Sequence, residues 1–187
     1  VKSPNLRFNK LNLIMLNQKT FLLIILFYLS LIAGYFYGEN LNYGTYYDWI
    51  SANKNPIIDF SNNFLDTFIN YEKYGHRHSP VYLIFLSWIL KVGIDIEYVR
   101  LIHLHLCLFL VFLFYKCLLI KFSKVDKQLL LLLSLVIFLS PTFRSIAIWP
   151  DSRIPGLIFF TLSIFYFLKF TQNHRIKFAW LCTLSLI

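Results

Sequence analysis

Long apolar runs, built mainly from Leu, Ile and Phe, constrain the fold of this chain more than any other feature. Residues 20–38 contain no Asp, Glu, Lys or Arg, and a helix of that length crosses the roughly 30 Å hydrocarbon core of a bilayer. Charged residues make up 14% of the sequence, well below the quarter or so found in soluble domains. Because the apolar residues come in runs and do not alternate with polar ones, the sequence predicts membrane helices and not a transmembrane barrel.

The sequence therefore predicts an all-α, polytopic transmembrane protein with a single membrane domain. The run at 81–90 is too short to span, which predicts a re-entrant or interfacial helix. The last run, which starts near Phe178, is also too short, and we expect the chain to be the N-terminal part of a longer protein. The predicted spans are about 20–38, 99–120, 129–148, 154–168 and, incomplete, 178–187.

The acidic residues are concentrated in one loop. Seven of the nine Asp and Glu lie between Glu39 and Glu97, together with only four of the eighteen Lys and Arg. Lys and Arg stay preferentially on the cytoplasmic side of a membrane. We therefore predict that this loop is extracytoplasmic and the N-terminus cytoplasmic, in the cell (inner or plasma) membrane. A cleaved signal peptide is the alternative, but the first run is longer than the roughly 7–15 apolar residues of a signal.

The two later basic clusters, 121–127 and 169–177, decide how the run at 81–90 is interpreted. If that run does not span, both clusters fall on the cytoplasmic side. If it spans, both fall outside. The charge rule favours the first arrangement.

The acidic loop is predicted to contain an amphipathic helix that lies on the membrane surface. Asn55–Pro56 has the pattern of an N-cap followed by Pro at the first helical position. Apolar and polar residues then recur at helical spacing on two faces. The predicted apolar face contains Ile57, Phe60, Phe64, Phe68 and Tyr71, and the polar face contains Asp59, Asn62, Asn63, Asp66 and Asn70.

The net charge of +9 does not indicate nucleic-acid binding, because the basic residues cluster beside apolar runs, where membrane topology explains them. Cys107, Cys117 and Cys182 lie in apolar runs and form no CxxC pair, so we predict neither a disulfide nor a zinc site. His103 and His105 are about 200° apart around a helix, too far to chelate one ion together.

Two acids in the predicted outer loops are the candidate catalytic residues. Asp48 lies among aromatic residues, and a partly desolvated carboxylate suits a general base. Asp151 lies in a second predicted outer loop, 149–153. We expect both carboxylates to face one cavity at the outer membrane surface, where they could also hold a divalent cation such as Mg²⁺ or Mn²⁺. Solvated acids beside interfacial aromatic residues are the alternative.

Four basic residues are candidate ligands for an anionic substrate. Arg77 and His78 precede the short run and could bind a phosphate. A basic collar at the lipid headgroups, or a metal pair with the neighbouring histidine, are the alternatives for them. Arg100 starts one predicted span and Arg144 lies near the outer end of another. Charges at such depths usually face a cavity or a partner, and snorkelling to the interface is the alternative.

Several of these features follow one another in an order that is found in a known enzyme class. They are Asp48 in a long outer loop after the first span, His78-Ser79-Pro80 before Val81-Tyr82-Leu83, Arg100 at the start of the next span, and Ser140-Pro141-Thr142-Phe143-Arg144 before Asp151. Over roughly residues 20–170, this order resembles the N-terminal part of the GT-C superfamily of membrane glycosyltransferases. That superfamily includes protein O-mannosyltransferases, lipid A aminoarabinose transferases and the oligosaccharyltransferase catalytic subunit.

The resemblance implies inverting transfer of a sugar from a polyprenyl-phosphate-linked donor to a hydroxyl of a glycan, lipid or protein acceptor. Asp48 would then be the base. Arg144, with Arg77 or His78, would stabilise the leaving phosphate. Asp151 would orient a residue or hold the cation.

The chain departs from the family pattern in two places. Ser79 replaces a Pro, and Asp151-Ser152-Arg153 lacks the second acid of a DxD motif. The alternative functions are a transporter or lipid-flipping module, whose intramembrane Arg and His line a pathway, and a non-catalytic membrane scaffold. The polar residues gather in the outer loops and no pair of broken helices is evident in the sequence, which favours the transferase.

Overall fold

The computed structural model describes residues 5–41, 43–75 and 79–185, without the side chains of residues 5–17, Lys19 and Tyr43. The candidate residues Arg77 and His78 lie outside the described residues. The described residues form helices and no strand. The α-helices are α1 (Asn5–Phe36), α2 (Tyr43–Asp48), α3 (Lys54–Asn62), α4 (Phe64–Ile69), α5 (Val81–Lys91), α6 (Ile96–Lys121), α7 (Lys127–Leu135), α8 (Pro141–Ile148), α9 (Arg153–Asn173) and α10 (Ile176–Leu184).

Two helices in the described part of the chain, α6 and α9, are each long and apolar enough to cross a membrane. They pack against each other and begin at the same end of the molecule. At that end, the Arg100 guanidinium lies 4.0 Å from the ring centroid of Trp149, just before α9. At the other end, Gln172 Nε2 donates a hydrogen bond to the Ile120 carbonyl over 3.4 Å. The two helices therefore run in the same direction.

Helix α1 runs antiparallel to α6. The Tyr35 hydroxyl donates to the Glu97 carbonyl over 2.6 Å, and the Tyr28 hydroxyl lies 3.0 Å from His105 Nε2. The end of α1 thus meets the starts of α6 and α9. We call this the loop end of the molecule, because residues 39–95 connect there, and we call the opposite end, where α6 and α9 finish, the lysine end. Both basic clusters, 121–127 and 169–177, lie around the ends of these two helices and therefore at the same end of the molecule, as in the arrangement that the charge rule favours.

The predicted span at 129–148 is formed by two helices that meet at a sharp bend. Helix α7 continues through a 3₁₀ turn at Val136–Leu139, and α8 then departs at an angle of 73°. Pro141 has no N–H and cannot continue a preceding helix, whereas it fits the first turn of a new one. The Ser140 hydroxyl caps that new helix by accepting from the Phe143 N–H over 3.3 Å. The break turns α8 across the loop end.

The prediction that Asn55 caps the start of a helix is wrong. A π-helical turn at Trp49–Asn53 joins α2 to α3, so Asn55 lies inside a helical stretch that begins at Tyr43. The predicted amphipathic helix is interrupted at Asn63, which adopts an extended conformation and caps α4. Because Asn favours caps over helix interiors, this break follows from the sequence. The helical surface is therefore divided into short pieces.

The apolar face of α3 is covered by protein. Ile57 and Phe60 are fully buried, and α3 packs against α5. Helix α5 has eleven residues and is too short to span, as predicted. Its own apolar residues divide between buried Leu83 and Leu86 and exposed Trp88. The pair α3–α5 thus forms a small cap on the loop end, and part of its surface remains apolar and exposed. Ile57 and Phe60, which were predicted to face the membrane, pack inside the protein instead.

The positions of the loop end and the lysine end at opposite ends of the molecule give a testable prediction of membrane topology. Asn62, in the loop-end cap, and Ser123, after α6, are both exposed. If the loop end is extracytoplasmic, a membrane-impermeant thiol reagent should label Asn62→Cys in intact cells and should label Ser123→Cys only after permeabilisation. Labelling of the unsubstituted protein provides the background from the native cysteines. Labelling of both engineered positions from outside would mean that α5 spans after all.

Candidate functional site

Asp48 and Asp151 meet at the loop end through one arginine. Arg153 Nη2 lies 2.7 Å from Asp151 Oδ2 and 3.3 Å from Asp48 Oδ2. Asp48 is the last residue of α2, and Asp151 lies in the turn between α8 and α9. The structure therefore brings together two carboxylates that are separated by about a hundred residues, with a guanidinium between them.

Asp151 fixes Arg153 from a buried position. Its Oδ1 accepts from the backbone N–H of Arg153 over 2.8 Å and from Arg153 Nε over 2.9 Å. Together with the Nη2 contact, this is a two-pronged ion pair, the geometry in which Arg binds a carboxylate most specifically. The Asp151 side chain is 6% exposed, whereas those of Asp48 and Arg153 are 48% and 47% exposed. Asp151 is thus the anchor, and Asp48 remains accessible to a substrate.

Two further contacts hold the loops that carry these acids. Asn53 Nδ2 donates to the Pro150 carbonyl over 3.0 Å, and both residues are buried. The rings of Tyr46 and Trp149 meet edge to face with centroids 4.7 Å apart. The α2–α3 segment and the turn before α9 are therefore locked together on either side of Asp48. This places the site on a rigid base.

Arg100 lies beside this base with an unusual lack of partners. Its guanidinium sits over the rings of Trp149 and Tyr35, at 4.0 and 4.9 Å from their centroids, and its Nη1 pairs with Glu97. Arg100 is only 7% exposed, yet its Nε and Nη2 have no hydrogen-bond partner among the residues that the structure describes. Buried donors are nearly always satisfied, so this pair of nitrogens points to a ligand or to water.

Arg100, Arg144 and Arg153 differ in what binds the edge of the guanidinium that carries Nε and Nη2. We call this edge the Nε/Nη2 face. Arg153 uses this face on Asp151. Arg144 uses it on Glu39, with Nε 2.6 Å from Oε1 and Nη2 paired with Oε2. In Arg100 the same face is free and buried. Of these three, only Arg100 can offer it to an oxyanion without breaking an ion pair.

The expectation that Arg144 binds a substrate phosphate is not supported by this geometry. Besides Glu39, its guanidinium donates to the hydroxyl and the carbonyl of Ser30, over 3.2 and 3.0 Å. Gly34 makes room for the pair, because a Cβ there would overlap the Glu39 carboxylate and lie 3.0 Å from Arg144 Nη2. Arg144 therefore ties α8 to the end of α1.

His103 belongs to a buried structural network. Its Nε2 lies 2.7 Å from the Ile146 carbonyl, which can only accept, so Nε2 carries the proton and Nδ1 accepts from the Tyr82 hydroxyl. Burial raises the pKa of that hydroxyl well above its ordinary value, so it remains a donor. His105 instead bonds to Tyr28 at a partly exposed position, and the two histidines point apart as predicted.

The residues proposed to hold a divalent cation do not fit one. In the described part of the chain, no group of three His, Cys, Asp or Glu side chains is placed to hold a metal ion. Both oxygens of Asp151 already pair with Arg153, which also contacts Asp48. A cation between these two carboxylates would have to displace a guanidinium. The positive charge at this site is supplied by the protein.

Sequence reasoning singled out Asp48, Asp151 and Arg100, which the structure places at the loop end, but missed the contacts of Arg153 and Glu39. Arg153 was noted only as a member of the 149–153 loop. A signal for it existed, because an Asp two residues before an Arg at a helix start can pair with it locally. Glu39 gave no such signal, since its partner lies 105 positions away.

Comparison of this chain with protein-family models, with curated proteins and with solved structures finds no match.

Proposed function

We propose that this protein is a polytopic membrane glycosyltransferase of the GT-C type, which moves a sugar from a polyprenyl-phosphate-linked donor to an acceptor hydroxyl at the extracytoplasmic surface. The observation that carries the proposal is the meeting of Asp48 and Asp151 at Arg153, beside the unpaired nitrogens of Arg100. A proton acceptor, a fixed cation and a free anion-binding face are the parts that transfer from a phosphate donor needs.

Asp48 is the general base in this proposal. Its carboxylate is half exposed, and among the described residues it has one ionic contact, to Arg153 over 3.3 Å, a long distance for an ion pair. An acceptor hydroxyl can therefore approach it without entering the core. Asp48 takes the proton of that hydroxyl while the oxygen attacks the anomeric carbon of the donor sugar from the side opposite the phosphate.

Arg153 and Asp151 form the fixed part of the site. Because Asp151 is buried and pairs with Arg153 at three points, the guanidinium is oriented before any substrate binds. Preorganised charge of this kind stabilises a developing negative charge without rearrangement during the reaction. Asp151 is a positioning residue, and Arg153 is the cation beside Asp48, the side on which the acceptor oxygen attacks.

Arg100 receives the donor phosphate in this proposal, a role that the family resemblance gave to Arg144 with Arg77 or His78. As the bond from the anomeric carbon to the phosphate oxygen breaks, the electron pair stays on the polyprenyl phosphate, and the Nε/Nη2 face of Arg100 bonds to its oxygens. That face is covered in the structure. Because both nitrogens are buried, a neighbouring side chain has to move to admit the phosphate.

Donor binding tests the role of Arg100. We expect Arg100→Gln to weaken binding of a polyprenyl-phosphate sugar by about 10- to 100-fold, because charged hydrogen bonds contribute about 1.5–3 kcal/mol. Arg100→Lys should also weaken it, since an ammonium keeps the charge but lacks the planar two-nitrogen face. The measurement is a titration of the protein in nanodiscs with the donor, with the neutral polyprenol as control.

If the donor and the polyprenol bind equally well, or if Arg100→Gln binds the donor as tightly as the wild type, Arg100 does not bind the donor phosphate. Uptake of a solute by vesicles that contain the wild-type protein, without any sugar transfer, would favour the transporter alternative.

A further inference from the structure

The lysine end of the molecule contains a second charged feature that the proposed transfer does not use. A groove of about 470 Å³ lies between the last turns of α6 and α9. Lys116 projects into it from α6, and Lys169 and Gln172 project from α9. The groove is therefore lined by two cations from two different helices.

Neither lysine is neutralised within the described residues. Lys116 and Lys169 are both partly buried, and no carboxylate pairs with them in the part of the chain that the structure describes. Each instead lies near an aromatic ring of its own helix, at 5.1 Å for Phe112 and 5.8 Å for Phe165. Long Lys side chains near the ends of membrane helices extend to the interface, where they attract anionic lipid headgroups.

The rest of the groove wall is apolar and includes both of those rings. A soluble anion would gain nothing from such a wall, whereas a lipid places its chains against it and its headgroup beside the lysines. From this combination we infer that the groove binds an anionic phospholipid of the leaflet at the lysine end, with the headgroup phosphate between Lys116 and Lys169 and an acyl chain along the apolar wall. Basic pockets between membrane helices take anionic headgroups in this way. The site is independent of the proposed transfer, which occurs at the other end.

Lipid retention tests this inference. Purified protein in mixed micelles with equal amounts of phosphatidylglycerol and phosphatidylcholine is examined by native mass spectrometry. We expect the wild type to retain phosphatidylglycerol preferentially. Lys116→Gln/Lys169→Gln should reduce that preference by about 30-fold, because each of the two basic residues near an anionic headgroup contributes about 1 kcal/mol.

Two matched variants separate the groove from general charge and from misfolding. Lys124→Gln/Lys127→Gln removes the same charge from exposed positions at the same end and should keep the preference. Lys116→Arg/Lys169→Arg keeps the charge in the groove and should also keep it. Loss of the preference to the same extent in the Lys124/Lys127 variant, or no preference in the wild type, would overturn the inference. If glycerol 3-phosphate binds as tightly as phosphatidylglycerol, the groove is a site for a soluble anion, and the inference of a lipid site is overturned.

Discussion

Asp48→Asn should reduce sugar transfer by about 10²- to 10⁴-fold, the usual contribution of a general base, while donor binding stays near the wild-type level. The amide keeps the shape of the side chain and can still contact Arg153, but it cannot accept the acceptor's proton. Because the 3.3 Å contact to Arg153 is long and half exposed, its loss should not unfold the site. The measurement is the rate of transfer of a labelled sugar in membranes, with donor binding determined in the same preparation.

Asp66→Asn is the matched control for this variant. Asp66 belongs to the same loop and is exposed, so the substitution removes the same charge without touching the Asp48–Arg153–Asp151 group. Its transfer rate should equal that of the wild type. If Asp48→Asn also transfers sugar at a near-normal rate, Asp48 is not the base.

Glu39→Gln should destabilise the protein by roughly 3 kcal/mol, because it leaves the Arg144 charge buried without its partner. The side chains of Arg144 and Glu39 are only 12% and 17% exposed. For a chain of this size, such a loss lowers the thermal midpoint by on the order of 10 °C. Arg144→Ala should have a similar effect, and donor binding should fall only as far as folded protein is lost. The measurement is thermal unfolding in detergent, beside donor binding at a temperature where each variant is folded.

The double variant Glu39→Gln/Arg144→Met is the control for the pair. Replacing both partners of a buried ion pair is often close to neutral, so this variant should be more stable than Glu39→Gln alone. If Arg144→Ala leaves the thermal midpoint unchanged but weakens donor binding, Arg144 and not only Arg100 binds the donor phosphate.

The helical class of the fold followed from the apolar runs, and α6 and α9 formed close to where those runs lie. The apolar run at 129–148 is long enough for one span, but its length does not reveal the bend before α8. The signal for the bend is the dipeptide Ser140-Pro141, an N-cap residue followed by a proline in the first turn. The same applies to Asn63, whose tendency to cap was hidden by apolar residues at helical spacing on both sides. In both places, a capping residue ended one helix and began another although the apolar residues continue at helical spacing.

The candidate site was predictable in part. Asp48 and Asp151 were expected to lie together because both fall in loops that are predicted to be on the outer side, and the structure joins them through Arg153. Which arginine retains a free Nε/Nη2 face could not be predicted. That depends on pairings such as Arg144 with Glu39, which join residues far apart in sequence and are decided by how α1, α6 and α8 pack.

Transfer of a labelled sugar by the wild-type protein tests the central claim most directly. Membranes that contain the protein are supplied with a panel of polyprenyl-phosphate-linked sugars and with native acceptors, and membranes with Asp48→Asn serve as the blank. The proposal predicts incorporation of at least one sugar by the wild type, with inversion at the anomeric carbon, and none above background by the variant. Equal incorporation by both membranes, or no incorporation from any donor while the wild type moves solute across vesicles, would contradict it.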